Sequence, residues 1–328
     1  MKTAVLLACL LPAIAGAAPY AEREEVQAFI AEMESRHGLE AAPLTRLFTQ
    51  ARPLPAVLKA IAPPADPGIR SWSAYRQRFI EPRRLAKGAE FWRRHETTLA
   101  RAAAFSGVPA EIIVAIIGIE TFYGRDLGRF DSFAALATLA FDYPPRAELF
   151  RRELEALLLL ARDEGRRADH YRGSYAGAIG LPQFLPSSIR NYAVDFDASG
   201  RIDLTASPAD AIGSVANFLR EHGWEPEGPV ALPVKLGAGA TAQTLLDEGI
   251  RPQRRPAEIA GFGVEIPSGA PDAPAALIDL VTPHQTTEYW LGYRNFFVIT
   301  RYNRSSFYAM SVFQFAAALR ERHALASQ

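Results

Sequence analysis

Two groups of acidic residues carry spacing that could do chemistry. The first is a single residue, Glu120, which closes the run Ile112-Ile113-Val114-Ala115-Ile116-Ile117-Gly118-Ile119-Glu120-Thr121-Phe122-Tyr123-Gly124. On a helix Glu120 shares a face with Ile112, Ile113 and Ile116, and Tyr123 and Gly124 follow one turn on. A carboxyl at the end of such an apolar stripe is partly desolvated. Desolvation raises its pKa and keeps it protonated, the state a general acid needs. An ordinary glutamate paired with Arg125 or Arg129 fits the same spacing, because ion pairs also place acids at helix ends.

The second group is the segment Asp195-Phe196-Asp197-Ala198-Ser199-Gly200-Arg201-Ile202-Asp203. It reads as the start of an EF-hand-type loop. Asp195, Asp197, Ser199 and Asp203 supply oxygens at positions one, three, five and nine, Gly200 stands at six, and Arg201 offers its backbone carbonyl at seven. Position twelve, normally a bidentate glutamate, is Ala206. Asp210, at the opening of the next helix, can replace it after a longer loop. A calcium ion held here is structural, because the loop presents no electrophile. The competing reading is an Asp-rich turn capped by its own side chains.

The elements that must position these groups are mostly helical. Val26, Phe29, Ile30 and Met33 recur at helical steps within 21–47. Residues 52–70 hold Pro53, Pro55, Pro63, Pro64 and Pro67 and read as a connector. The pattern over 72–106 is helical again. Pro109 starts the helix that carries Glu120 and Gly124 ends it. Two helices over 131–162 are broken by Tyr143-Pro144-Pro145. Residues 172–187 are loop and turn with a short helix, and Ser207-Pro208 opens a helix that ends before Gly223. From Glu225 to about Pro283 the chain is rich in Pro and Gly with short apolar pieces, which predicts a small β-containing insertion. Strong apolar patterning over 289–318 predicts closing helices. The fold class is mainly α with a minor β subdomain.

Composition narrows the function classes. The 328 residues are 49% hydrophobic and 22% charged, which excludes whole-chain disorder. Lys plus Arg is 36 and Asp plus Glu is 36, so there is no basic excess to favour nucleic acid. The single cysteine, Cys9, excludes a disulfide framework, a zinc finger and a cysteine nucleophile in the body of the chain. Lys2, the apolar run Ala4–Ile14 and Ala15-Gly16-Ala17 read as a secretory signal cut after Ala17. Only a few apolar residues precede Cys9 and the run continues past it, which argues against a lipoprotein cysteine. An exported chain without disulfides fits a bacterial periplasm. No later run reaches membrane-spanning length.

Four motifs follow one another along the chain: Gly118-Ile119-Glu120-Thr121-Phe122-Tyr123-Gly124, then Tyr171-Arg172-Gly173-Ser174-Tyr175-Ala176-Gly177-Ala178-Ile179-Gly180-Leu181-Pro182-Gln183-Phe184-Leu185-Pro186-Ser187-Ser188, then Asp210-Ala211-Ile212-Gly213-Ser214-Val215-Ala216-Asn217-Phe218, and finally Arg301-Tyr302-Asn303-Arg304-Ser305-Ser306-Phe307-Tyr308-Ala309. Together they resemble one family, the lytic murein transglycosylases of the membrane-bound B group and its soluble forms. The resemblance runs from about Trp72 to Phe315 and is weakest in the insertion. It implies a lysozyme-like α domain over 71–224, including the loop 195–210. An N-terminal helical region with its connector (18–70) follows the signal (1–17), and the insertion (225–283) precedes C-terminal helices (284–328).

The resemblance further implies peptidoglycan glycan strands as substrate. The bond from N-acetylmuramic acid to N-acetylglucosamine is cleaved without water, the C6 hydroxyl closing a 1,6-anhydro ring, with Glu120 as acid and then base. Ser174 and Gln183 match the polar pair beside the acid. Tyr75, Phe184, Phe218, Tyr302, Asn303 and Tyr308 match cleft positions, although plain core packing also suits each aromatic. Phe218 stands where relatives carry Tyr, and Leu181-Pro182 departs from the family's residues there. A single altered calcium loop with Asp195, Asp197, Ser199, Arg201 and Asp210 agrees with the family too, and the chemistry calls for no cofactor. Cell-wall synthases or amidases are the expected protein partners. A hydrolytic muramidase of the same fold, or a non-catalytic peptidoglycan-binding scaffold, are the other readings. A second positioned carboxylate would favour the muramidase, and Asp126 and Asp131 are read instead as surface and helix-terminus acids.

Overall fold

A computed structural model describes residues 19–63 and 70–326. The signal segment, Cys9 and part of the proline-rich connector lie outside the described residues. Helices dominate, and a long central one runs Ala110–Thr121. Every residue from Ile112 to Ile119 is buried, so this helix is apolar on all sides and forms the axis of the core. Helices Pro82–Arg94, Glu96–Ser106, Pro208–Glu221 and Ser306–Ala326 pack around it. No single helix among the described residues is long and apolar enough to cross a membrane.

The helix breaks follow local chemistry. The 21–47 pattern divides into Glu24–His37 and Ala41–Gln50, with Gly38 left-handed at φ 65° as the stop between them. Asp131 caps Ser132–Asp142 by accepting the Ala134 N–H at 3.1 Å. Tyr143 and the Pro144–Arg146 turn separate that helix from Ala147–Asp163. Near the end of the glycine-rich loop, buried Glu153 accepts the backbone N–H of Ser187 at 3.0 Å and its hydroxyl at 2.7 Å. This pins the start of helix Pro186–Tyr192 to Ala147–Asp163.

The β-containing region is a four-stranded antiparallel sheet in the order Val264–Glu265, Ala231–Leu236, Glu288–Gly292, Ala276–Leu280. It has its own small core around Val234, Leu245, Ile259, Leu277 and Leu291. One expectation fails here. The apolar stretch from 289 does not begin with a helix: Glu288–Gly292 is an inner strand of this sheet, and helix begins only at Arg294. Tyr289 and Trp290 favour the pleated conformation, and pairing on both edges outweighs a helical period that five residues cannot express. Ile278 and Leu280 on the outermost strand join the main core, so the sheet is seated on the helical body.

Candidate active site

The Glu120 helix does not run on to Gly124. It stops at Thr121, and Phe122, Tyr123 and Gly124 take three consecutive left-handed conformations (φ 51°, 61° and 90°). Two of these are non-glycine residues, a conformation that costs about 1 kcal/mol or more each and persists only where the surroundings impose it. The surroundings do so. Phe122 N–H donates to Gly118 O at 3.1 Å, and Arg84 donates Nη1 to the same carbonyl at 2.5 Å. The Thr121 hydroxyl donates to Leu181 O at 3.0 Å and accepts the Gly124 N–H at 3.1 Å. The Thr121–Leu181 bond ties the end of the acid's helix to the glycine-rich loop of the second motif.

Glu120 opens to solvent on one side, but its carboxyl is largely enclosed. Desolvation pushes its pKa up to about 7, and a hydrogen bond from Tyr308 pulls partly the other way. That bond, Tyr308 Oη to Glu120 Oε1, is 2.6 Å long. Burial first, and the nearby Glu120 charge second, hold the Tyr308 phenol well above its ordinary range, so it stays a donor. Burial first, and the Glu120 charge second, also raise the phenols of Tyr75 and Tyr302, which places all three tyrosines around the acid. Tyr302 and Tyr308 lie nearly parallel, 6.3 Å apart and 14° from coplanar. Arg125 and Arg129 form no ion pair with Glu120 among the described residues, so the paired-glutamate reading drops out.

The second motif wraps beside this centre. Gly180 is left-handed at φ 76° and its α-carbon abuts the Leu204 carbonyl, a place no side chain can share. Gln183 is also left-handed (φ 50°), and its Nε2 donates to Gly180 O at 2.9 Å and Leu127 O at 3.2 Å. These bonds fix the amide and leave its oxygen for a ligand. Ser174 Oγ accepts the N–H groups of Ala178 (3.1 Å) and Ala176 (3.3 Å), so its own proton remains to donate. The Tyr302 hydroxyl donates to Pro182 O at 2.6 Å and locks the C-terminal segment onto this loop.

Not every predicted site residue faces outward. Phe184 and Phe218 are 2% and 5% exposed and pack at an angle against one another and against Tyr302. Their burial leaves no face for a sugar: both back the Tyr302 ring, and Tyr192 and His222 pack on Phe218 as well. Phe218 has an apolar surround in which a missing hydroxyl leaves nothing unpaired. Tyr75 is half-buried against Phe79 and Phe307, and Asn303 is exposed in the turn before the last helix with no side-chain hydrogen bond. Sequence reasoning missed Arg84 and the Thr121 hydroxyl. Arg84 lies 34 residues from its carbonyl partner, and no local pattern signals it.

Among the described residues, no other carboxylate perturbs Glu120. Asp131 is the cap described above, and Asp126 is exposed.

The acidic loop forms a cluster of its own. One oxygen each from Asp195, Asp197 and Asp210 lie within 4.8 Å of one another. Asp210 is fully buried, accepting the N–H groups of Phe196 (2.8 Å), Asp197 (3.3 Å) and Asp203 (2.8 Å). Ser199 Oγ donates to the Arg201 carbonyl at 3.0 Å, which sets both oxygens together. No lysine or arginine pairs with these three carboxylates among the described residues. An all-oxygen set with uncompensated charge fits a hard divalent cation. Asp203 instead caps a turn, its Oδ1 accepting Ala206 and Thr205 N–H groups.

The transglycosylase SLT domain model matches residues 21–317. The chain belongs to this family. It is a family of peptidoglycan-cleaving enzymes, the lytic transglycosylases. The Escherichia coli K12 protein named membrane-bound lytic murein transglycosylase B is 40% identical over 312 residues, 92% of this chain and 84% of that one. The soluble lytic transglycosylase SltB1 from Pseudomonas aeruginosa superposes with a TM-score of 0.84 at 43% identity, over 91% of this chain and 99% of that one. The Escherichia coli lytic transglycosylase Slt35 in complex with calcium gives a TM-score of 0.80 at 39% identity, over 93% and 95%.

Proposed function

We propose that this lytic transglycosylase cleaves the β-1,4 bond between N-acetylmuramic acid and N-acetylglucosamine without water, and that Glu120 serves both halves of the reaction. The observation that carries the reading is a carboxyl at the end of an all-buried helix with one phenol as its side-chain partner, and desolvation there pushes its pKa up to about 7. Near neutral pH both of its protonation states are populated. The protonated form donates to the leaving glycosidic oxygen. The carboxylate so produced takes the proton of the muramic C6 hydroxyl as that oxygen attacks C1 and closes the 1,6-anhydro ring. The proton returns to Glu120 and no water is consumed. Two-carboxylate glycosidases need a second acid as base or nucleophile, and among the described residues no such group influences Glu120. This favours ring closure over hydrolysis.

The supporting roles follow from the geometry. Tyr308 donates to the carboxylate form and keeps the pKa from climbing further. Ser174 and the Gln183 oxygen are oriented to hold the N-acetyl group or the reacting sugar. Tyr75 and Tyr302 offer aromatic faces to the apolar side of a sugar ring, and Asn303 reaches it from the rim. Asp195, Asp197, Ser199, the Arg201 carbonyl and Asp210 hold a structural Ca2+ that fastens the 195–203 loop to helix Pro208–Glu221. The N-terminal signal directs the chain to the periplasm, where the substrate lies.

The test is Glu120→Gln. The variant is expected to lose at least a thousandfold in turnover while still sedimenting with purified sacculi. A variant that keeps full activity rules Glu120 out as the acid. A wild-type protein that sediments but releases nothing supports the scaffold reading.

A further inference from the structure

A second pocket lies on the far side of the left-handed turn, beyond Glu120. It measures about 380 Å³ and is lined by Arg83, Lys87, Arg94 and Arg125 around an apolar floor of Phe91 and Phe122. One acid, Glu90, faces it, and Lys87 (2.8 Å) and Arg94 (2.7 Å) already bind that acid. Arg83 and Arg125 have no carboxylate partner among the described residues. Glu81 spends both oxygens on the N–H groups that open helix Pro82–Arg94, and Asp126 is exposed outside the lining. Two unpaired guanidinium groups therefore flank an aromatic floor in a chain whose overall charge is balanced.

A chain of ring contacts links the lining of this pocket to the acid. Tyr75, beside Glu120, packs on Phe79 with ring centroids 5.2 Å apart. The Arg84 guanidinium lies 5.5 Å from the Phe79 ring and 4.6 Å from the Phe122 ring. Arg83 and Arg125 stand over that same Phe122 ring at 5.9 and 5.7 Å. Phe122 is one of the two non-glycine left-handed residues. The strained turn that ends the acid's helix thus also holds the ring on which these arginines gather.

We infer that this pocket binds a carboxylate carried on a peptide arm of the glycan strand. The inference rests on the proposed peptidoglycan substrate. Guanidinium forks match a carboxylate with two parallel bonds, and the aromatic floor suits the apolar part of an amino-acid side arm. A volume of about 380 Å³ is enough to hold such a side arm. The peptide arm is then held by residues that follow directly on Glu120 in the chain, so its capture sets the register of the scissile bond against the acid.

The experiment compares kcat/KM on soluble glycan strands bearing intact stem peptides with kcat/KM on the same strands stripped of peptide by an amidase. The wild type is expected to prefer the peptide-bearing strands, and the preference to shrink as salt rises. In the double variant Arg83→Ala/Arg125→Ala the ratio of the two values is expected to fall about tenfold, mainly through KM, as a charge-assisted pair is lost. Both arginines are exposed, so the variant folds, and unchanged thermal melting confirms it. Arg125→Lys should restore part of the ratio, because it keeps charge without the fork. A ratio equal in wild type and variant overturns the inference, as does an equal loss on both substrates. Inhibition by inorganic phosphate without any peptide preference assigns the pocket to a phosphate instead and overturns it too. If the wild type cleaves neither substrate, it is the proposed reaction that fails.

Discussion

The two acidic regions of this molecule put the same functional group to opposite uses. At Glu120 one carboxyl ends an apolar helix and meets a single phenol. Its charged form is disfavoured, which suits the proposed role of proton carrier. In the 195–210 loop three carboxylates crowd together, yet backbone N–H groups converge on them, three on Asp210 alone. Their oxygens face inward together, which suits the proposed role of holding a cation. Residue type is common to both regions. The number and kind of donors facing the oxygens decides which role results.

That contrast can be broken at its strongest point. Asp210→Ala removes the buried carboxylate and leaves three backbone donors without an acceptor. It is expected to cost about 3–5 kcal/mol of stability and to abolish calcium stabilisation, read as loss of the calcium-dependent shift in melting temperature. Retention of that shift would remove Asp210 from the metal site.

Glu120→Gln should do the reverse. The folded pKa of Glu120, about 7, lies above its unfolded value near 4.5. The stability associated with its protonated form is therefore complete below pH 4.5 and is lost as pH rises through 7. A permanently neutral amide escapes that loss. The variant is expected to match the wild type at pH 4 and to exceed it by about 2–3 kcal/mol at pH 8, measured by denaturant unfolding at both pH values. Equal stability at pH 8 would show that the carboxyl is not desolvated.

Tyr308→Phe is a smaller change with a directional signature. Losing the hydrogen bond to the carboxylate raises the Glu120 pKa further, so the alkaline limb of the kcat/KM profile should move to higher pH. Activity at pH 7 should nonetheless fall about tenfold, roughly 1.4 kcal/mol, because the carboxylate formed on proton donation loses its only side-chain donor among the described residues. A limb that moves down would reverse the assigned role of the phenol. The smallest effect is expected at Asp203, a turn cap. Asp203→Ala should cost about 1 kcal/mol and change calcium affinity little, as titration calorimetry would show.

Much of this was legible from the residues. The apolar stripe before Glu120 announced a desolvated acid, and the oxygen spacing from Asp195 announced a loop that could hold a cation. The left-handed break after Thr121 was not legible, because Phe122 and Tyr123 are poor residues for it and adopt it only under restraint from Arg84 and Leu181. The inward placement of Phe184 and Phe218 was hidden for a related reason. An aromatic ring that lines a cleft and one that backs it read alike until Tyr192 and His222 are seen to cover it. The strand at Glu288–Gly292 was lost to its apolar content, since pairing with distant Ala231–Leu236 and Ala276–Leu280 decides it.

The central claim is that one desolvated carboxyl performs both proton transfers without water. Mass spectrometry of the soluble fragments released from bare peptidoglycan by the mature protein tests it most directly. Fragments lighter by one water than the corresponding hydrolytic products, with no free reducing end, are expected. Fragments of full hydrolytic mass, with a reducing end, would contradict it and require a second carboxylate or an activated water at Glu120.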